Sequence, residues 1–142
     1  MTKTVSALSL VVLALTACQS APPMPSDLRV VAPSAQVSSE ARQLAGTWVG
    51  KWNDEFDHVL VVEDINDTTA IVVYSVGAFA KEGIQPSYRR VRATVSGATL
   101  RFKLGQSAVD YDLRSDGALV GTFEAPTGRI SRAYMKRGAA KQ

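Results

Sequence analysis

The sequence predicts an all-β fold, a small antiparallel up-and-down barrel of about eight strands. Between residues 47 and 136 apolar and polar residues alternate with a period of two, and turn residues interrupt this alternation about every ten residues. No helical pattern there is long enough to cover a sheet. Closing eight short strands into a barrel removes the exposed edges that promote aggregation, so we favour a barrel over the alternative, a two-sheet sandwich.

The alternation is clearest in the second half of the chain, where Leu100, Phe102 and Leu104 are separated by polar residues. Such strands have one dry and one wet face. By contrast, residues 59–62 and 71–74 are apolar on both faces, so we expect these two strands to lie against another surface or a partner. The predicted strands are residues 47–52, 58–64, 69–77, 89–95, 99–104, 109–114, 118–124 and 129–136.

The N-terminus has the composition of an export signal. Lys3 precedes an apolar run at residues 5–15, which is shorter than the roughly 20 residues that a membrane-spanning helix needs. We expect a signal peptide at residues 1–17, a tether at 18–43, a barrel domain at 44–137 and a flexible tail at 138–142.

The sequence Leu15-Thr16-Ala17-Cys18 resembles the lipobox of bacterial lipoproteins. The resemblance implies cleavage before Cys18 and attachment of long, palmitate-type acyl chains to that residue, which anchors the protein to a membrane. By the habit of this family, a Gln rather than an Asp at position 19 favours the outer membrane, facing the periplasm or the cell surface.

Residues 19–37 contain four prolines among small and polar residues and predict a linker. If it is flexible, it lets the domain float above the lipid headgroups. Residues 38–44 predict one or two helical turns capped by a serine.

Gly46-Thr47-Trp48 resembles the Gly-x-Trp start of the first strand in lipocalins, avidins and bacterial metalloprotease-inhibitor barrels, and residues 116–123 are similar to an avidin-type strand. The resemblance implies that Trp48 closes one end of a barrel under an arginine from a late strand, for which Arg129 and Arg132 are the candidates. The chain is shorter than lipocalins, has fewer tryptophans than avidins and lacks the inhibitors' disulfide pair, so no ligand site is carried over.

No catalytic motif occurs in the chain, and we predict neither an enzyme nor a metal or cofactor site. His58 follows several acidic residues, and we interpret it as a surface histidine rather than as half of a proton-shuttling pair. Glu63, Asp64 and Asp67 match no calcium-loop spacing, so we interpret them as a solvated turn.

Five residues are candidate contacts for a ligand or partner: Tyr88, Arg90 and Arg92 after the longest loop, and Trp48 and Trp52 on the first strand. Alternation places Tyr88, Arg90 and Arg92 on one face of their strand. The alternatives to contact with a partner are a solvated outer face balanced by Asp110 and Asp112, and core packing of the tryptophans. The half from residue 88 onward is basic and the half before it acidic; we attribute this to strands of opposite charge pairing within one domain, rather than to nucleic-acid binding.

These observations predict a membrane-anchored, exported lipoprotein whose barrel is a non-catalytic binding module for a small ligand or peptide. The alternative is an accessory or structural lipoprotein of an envelope assembly, or a periplasmic inhibitor, acting through protein–protein contact. The sequence leaves the oligomeric state open.

Overall fold

The computed structural model describes residues 20–139. A short helix, α1 (Ser39–Arg42), precedes eight strands, and a 3-10 turn (Ala80–Glu82) lies between the third and fourth. The strands are β1 (Gly46–Trp52), β2 (Phe56–Ile65), β3 (Thr69–Val76), β4 (Ser87–Ser96), β5 (Thr99–Leu104), β6 (Ser107–Leu113), β7 (Leu119–Glu124) and β8 (Ile130–Arg137). Each predicted strand corresponds to one of these.

The strands form a closed barrel, which confirms the prediction and excludes the sandwich. Every strand pairs antiparallel with the next one in sequence, and β8 pairs with β1 to complete the ring. The β4–β5 pairing is the shortest and is confined to Thr94–Ser96, so the rest of β4 pairs with β3 alone.

The two ends of the barrel differ. At the end where β2, β4, β6 and β8 finish, which we call the floor, α1 covers the barrel and buries Ala41 and Leu44. The Ser38 hydroxyl caps this helix by accepting a hydrogen bond from the Ala41 N–H, which confirms the predicted helical turns. At the opposite end, which we call the mouth, β1, β3, β5 and β7 finish, and connecting loops surround an opening.

Between the two ends, large side chains fill the interior. The largest that are fully buried include Trp48, Trp52, Tyr111, Leu60 and Met135. A domain this small buries a limited fraction of the surface of its unfolded chain, so most inward side chains must pack against one another. Little volume therefore remains for a large empty calyx.

Residues 20–37, which we call the strap, lie along the outside of the barrel across β2, β3 and β4. At the mouth, the carbonyl of Ser20 rests on Gly77, where an added Cβ would come within 2.6 Å of it. At the floor, the N–H of Ser38 donates to the Asp67 carboxylate at 2.8 Å. The strap therefore spans the whole length of the barrel.

The centre of the strap is held by Glu63, which sits at a bulge in β2 with its side chain only 8% exposed. Its carboxylate accepts the Arg29 N–H at 3.0 Å and pairs with Arg90 at 2.7 Å, and its carbonyl accepts the Val31 N–H at 2.7 Å. Arg90 also forms two hydrogen bonds to Asp27 of the strap, at 3.0 and 3.2 Å. The strap is thus bound to the barrel by main-chain and charged contacts.

The strap explains the two strands that are apolar on both faces. Val61 and Val73 alternate with core-facing residues and so point outward, yet both are fully buried, because the strap crosses this face. The Ser75 hydroxyl fixes it there by donating to the Pro23 carbonyl. Residues 20–37 are therefore not a flexible linker but lie ordered on the barrel, since burial of this apolar face and the contacts of Glu63 offset the entropy of ordering the chain.

Within the described residues, no helix has the length and apolar character needed to cross a membrane.

Candidate functional site

The mouth contains a cavity of about 320 Å³. Its wall is mainly aromatic and aliphatic, and polar side chains lie along part of its rim. The lining residues are Trp52, Asn53, Phe56, Tyr74, Val76, Glu82, Ile84, Phe123, Arg129 and Ser131. An apolar cavity with a few converging polar groups is the usual form of a small-molecule site, and this volume is near the lower end of the usual range of about 300–1,000 Å³.

The β1–β2 turn forms one side of the mouth. Asn53 and Asp54 both have left-handed backbone angles (φ 49° and 60°), which Asn and Asp adopt more readily than most residues. Asn53 also ties the turn to β8, because its side chain donates to the Ser131 hydroxyl and accepts the Arg132 N–H. This side of the rim is therefore fixed by hydrogen bonds.

The loop between β3 and β4 forms the other side. Phe79 stacks on Phe56 with ring centroids 5.0 Å apart. Glu82 forms two hydrogen bonds with Arg129, at 3.1 and 3.2 Å, which join the 3-10 turn to the loop before β8. These contacts hold the loop beside the cavity and place a paired carboxylate and guanidinium on its rim.

Trp52 lies at the inner boundary of the cavity and is 1% exposed. Its indole Nε1 is buried and has no hydrogen-bond partner among the described residues. Burial raises the pKa of Tyr74, and the nearby indole N–H opposes this rise slightly. The Tyr74 hydroxyl and the indole nevertheless do not have good hydrogen-bond geometry. A buried N–H without a partner costs free energy, and a ligand that supplied an acceptor would remove this cost.

His58 lies in the barrel interior beside Trp52, so the expectation of a surface histidine is wrong. Its Nδ1 is 2.7 Å from the Ser75 carbonyl and its Nε2 is 2.6 Å from the Tyr111 hydroxyl. A neutral ring with the proton on Nδ1 satisfies both contacts, because Nδ1 donates to the carbonyl and Nε2 accepts from the tyrosine. The alternation of β2 carried the signal, since His58 shares a face with the core residues Leu60 and Val62.

Burial keeps these groups neutral. It lowers the pKa of His58 to about 4, and the hydrogen bond to Ser75 opposes this only in part. Burial also raises the pKa of Tyr74 and Tyr111 well above the usual range. A neutral ring with both nitrogens hydrogen-bonded is held in one tautomer and one orientation. The arrangement is suited to fixing the aromatic side chains that pack around His58, among them Trp52 and Tyr74.

Arg90 is occupied by the strap. Glu63 and Asp27 raise the pKa of its guanidinium, and Arg90 in turn lowers the pKa of Asp27. The expected balance of Arg90 by Asp110 and Asp112 is wrong, because Asp110 pairs with Arg101 on the adjacent strand and Asp112 accepts a hydrogen bond from Thr99.

Tyr88 and Arg92 lie on the outer face of β4 with Arg90, as the alternation predicted, but they do not form one site with it. Tyr88 is exposed near the mouth, whereas Arg92 lines a shallow groove near the β2–β3 turn. Of the five candidate contacts, Trp52 alone lines the mouth cavity.

Trp48 is a floor residue. Its indole donates to the Leu44 carbonyl at 2.9 Å, and the guanidinium of Arg137 stacks over its ring at 4.0 Å. The implied cation–π contact is present, but the assignment to Arg129 or Arg132 is wrong. In an antiparallel pair the start of β1 meets the end of β8, and Trp48 is in register with Arg137.

Gly46 makes room for this arrangement at the start of β1. Its φ of 97° lies in the left-handed region, and an added Cβ would approach the Arg137 guanidinium at 3.3 Å. Arg137 also donates to the carbonyls of Gln43 and Ala45, so one side chain joins the end of β8 to the segment that follows α1.

Of the three acidic residues near the β2–β3 turn, Glu63 and Asp67 have structural partners, whereas Asp64 is exposed. The interpretation as a solvated turn is therefore wrong for Glu63, which is buried within β2. Glu63 binds the strap, and the hydrogen bond from Ser38 lowers the pKa of Asp67. Residues 20–139 contain no group of three potential metal ligands.

Sequence reasoning missed most of the cavity. Phe56 falls between two predicted strands, Ile84 does not stand out in the sequence, and Phe123 was noted only as part of the avidin-type strand. Their proximity depends on closure of the barrel, which brings the start of β2 and the end of β7 to the same rim. The one available signal was the unusual length of the loop between β3 and β4, since long loops often carry function.

A scan against protein-family models finds no match for this chain, and a search of curated proteins finds none either. The architecture therefore defines the class: a closed, eight-stranded, antiparallel up-and-down β-barrel, consistent with a lipocalin-like barrel, with a cavity at one end. Cys18, the predicted lipidation site, lies outside the described residues.

Proposed function

We propose that this protein is an exported, membrane-anchored lipoprotein whose lipocalin-like barrel binds a small, mainly aromatic or aliphatic ligand at its mouth. The observation that carries the proposal is the cavity of about 320 Å³ beside the buried, unpartnered Nε1 of Trp52. A cavity of about 150 Å³ holds one benzene ring, so this cavity has room for about two fused rings.

The polar groups indicate the chemistry of such a ligand. Trp52 offers a donor at the inner boundary. At the rim, Arg129 and Asn53 each have N–H groups beyond those that bind Glu82 and Ser131. A flat apolar molecule with a carboxylate or carbonyl matches this set, because it fills the apolar volume and supplies acceptors.

The two features that favour an accessory or inhibitory protein both have partners within the chain. The strap covers the apolar outer face of β2 and β3, and Arg90 is engaged by Glu63 and Asp27. No segment of residues 20–139 fills the mouth cavity in the same way. We therefore favour ligand binding.

The binding test uses 2-naphthoate as the probe and the full lipidated chain in nanodiscs. We expect saturable quenching of tryptophan emission, because the naphthyl ring would lie against Trp52. Val76→Phe should abolish this response by filling the cavity, whereas the matched Val120→Phe, on the outer face of β7, should preserve it. No saturable response, or equal loss in both variants, would count against a mouth site.

The anchor has a separate test. The intact mass of the membrane-extracted protein should equal that of a chain that starts at Cys18 and carries a diacylglyceryl group. In the variant Cys18→Ser, the protein should no longer be held at the membrane. An unmodified Cys18 would refute the anchorage, and the same 2-naphthoate titration on the chain without lipid would then still test the mouth site.

A further inference from the structure

We infer that the barrel mouth docks against the membrane surface, with the floor pointing away from it. This inference rests on the proposed lipidation of Cys18 and goes beyond it, because anchorage alone does not set an orientation. The partner is a phospholipid bilayer interface, which the mouth meets through its loops.

The first step is the position of the strap's N-terminal end. Ser20 lies at the mouth rim, since its carbonyl contacts Gly77 just after the end of β3. The N–H of Gly77 in turn donates to the Asp57 carbonyl at 2.8 Å, near the start of β2. Even one methyl group at Gly77 would collide with the Ser20 carbonyl, so the strap end lies directly on the rim.

The second step is the length of chain that remains. Two peptide links separate Cys18 from Ser20, and an extended chain spans at most about 3.6 Å per residue. The anchored residue therefore lies within roughly 7 Å of Ser20. The headgroup layer on each side of a bilayer is itself about 5–7 Å thick, so the mouth rim lies at the headgroups.

The third step is that the strap cannot easily supply more length. Between Ser20 and the floor it is held by Pro23, by the ion pair of Asp27 with Arg90, and by the main-chain contacts of Arg29 and Val31. Releasing it would expose the apolar outer face of β2 and β3 and leave the carboxylate of Glu63 without its main-chain donor. The strap thus turns an otherwise long tether into a short one.

The mouth is suited to an interface but does not attract it by charge. Ile130 is 52% exposed at the rim, which a headgroup region accommodates better than water does. Lys81 and Arg129 are already paired with Glu55 and Glu82. We therefore attribute the orientation to the short tether and expect it to persist at high salt.

The test compares two labelled positions on the lipidated protein in phosphatidylcholine vesicles that carry a headgroup nitroxide. Thr127→Cys places a fluorophore at the mouth and Ser115→Cys places one at the floor; both positions are exposed, and the lipid occupies the Cys18 sulfur. A strand of seven residues spans roughly 23 Å, so the floor label lies on the order of 20 Å farther from the bilayer. We expect quenching to be several-fold stronger at Thr127 than at Ser115, with little change in high salt.

A linker variant checks the cause. Inserting about fifteen Gly and Ser residues between positions 19 and 20 adds an r.m.s. reach of roughly 20 Å, so the difference between the labels should largely disappear. If the difference persists, the mouth still faces the membrane but the short tether is not the cause, and that part of the inference is overturned. If both labels are quenched equally on a protein with intact lipid, the proposed orientation is wrong but the anchorage stands. If Cys18 is unmodified, both the anchorage and the orientation are wrong.

Discussion

The floor and the mouth of this barrel each contain a tryptophan from β1, but the two side chains differ in their hydrogen bonds and in their neighbours. At the floor, Trp48 has a hydrogen-bond acceptor, a stacked arginine and a helical cover. At the mouth, Trp52 is equally buried but its N–H is unpartnered among the described residues and it borders a cavity. The comparison indicates that the floor is packed for stability, and that the mouth gives up some stability to leave a cavity.

The largest expected effect is on the floor. Trp48→Ala should lower the free energy of unfolding by about 3–5 kcal/mol, the usual cost of deleting a fully buried aromatic side chain. Phe123→Ala at the mouth should cost clearly less, because Phe123 is half-buried beside an existing cavity. Urea unfolding measures both; similar losses would show that the mouth is packed as a structural core.

The next effect concerns pH. His58 has a pKa of about 4 in the folded protein, against an ordinary value of 6.5, so at intermediate pH the unfolded chain binds a proton that the folded chain excludes. The stability that neutral His58 contributes is complete above pH 6.5 and is lost as pH falls toward 4, by up to about 3 kcal/mol.

The chain contains a single histidine, so His58→Gln is the natural control. Unfolding curves at about pH 7 and about pH 4.5, on either side of the ordinary histidine pKa, should differ less in this variant than in the wild type. An identical difference would show that other groups cause the pH dependence.

The smallest effect is the most direct comparison of the two ends. Trp48→Phe removes the donor to Leu44 and weakens the stacking of Arg137, so it should cost about 2 kcal/mol. Trp52→Phe empties a similar volume but removes an N–H that has no partner among the described residues, so it should cost less than Trp48→Phe. A reversed order would mean that Trp52 has an acceptor in solution.

The strands and turns show how much of the fold was readable in the sequence. Alternation located all eight strands, and turn residues separated them, because side-chain direction in a strand repeats every two residues. The same alternation assigned Trp48 and Trp52 to one face and Arg90 and Arg92 to the other.

Contacts between distant segments were less accessible. Val61 and Val73 are apolar on an outward face, which indicated that another segment packs on them. The sequence did not show that this segment is the strap. The proline-rich composition of residues 19–37 is typical of linkers, since packing on a neighbouring surface leaves no periodic pattern in a segment without regular structure.

The sequence by itself determined the strand pattern and the helical cap, because these depend on local periodicity and short motifs. The anchor at Cys18 stays a prediction from such a motif. The tertiary structure alone decided which arginine stacks on Trp48, where His58 finds its partners, and that the strap brings the chain end to the mouth. Each of these depends on closure of the barrel, which joins residues far apart in the chain through register rather than through local preference.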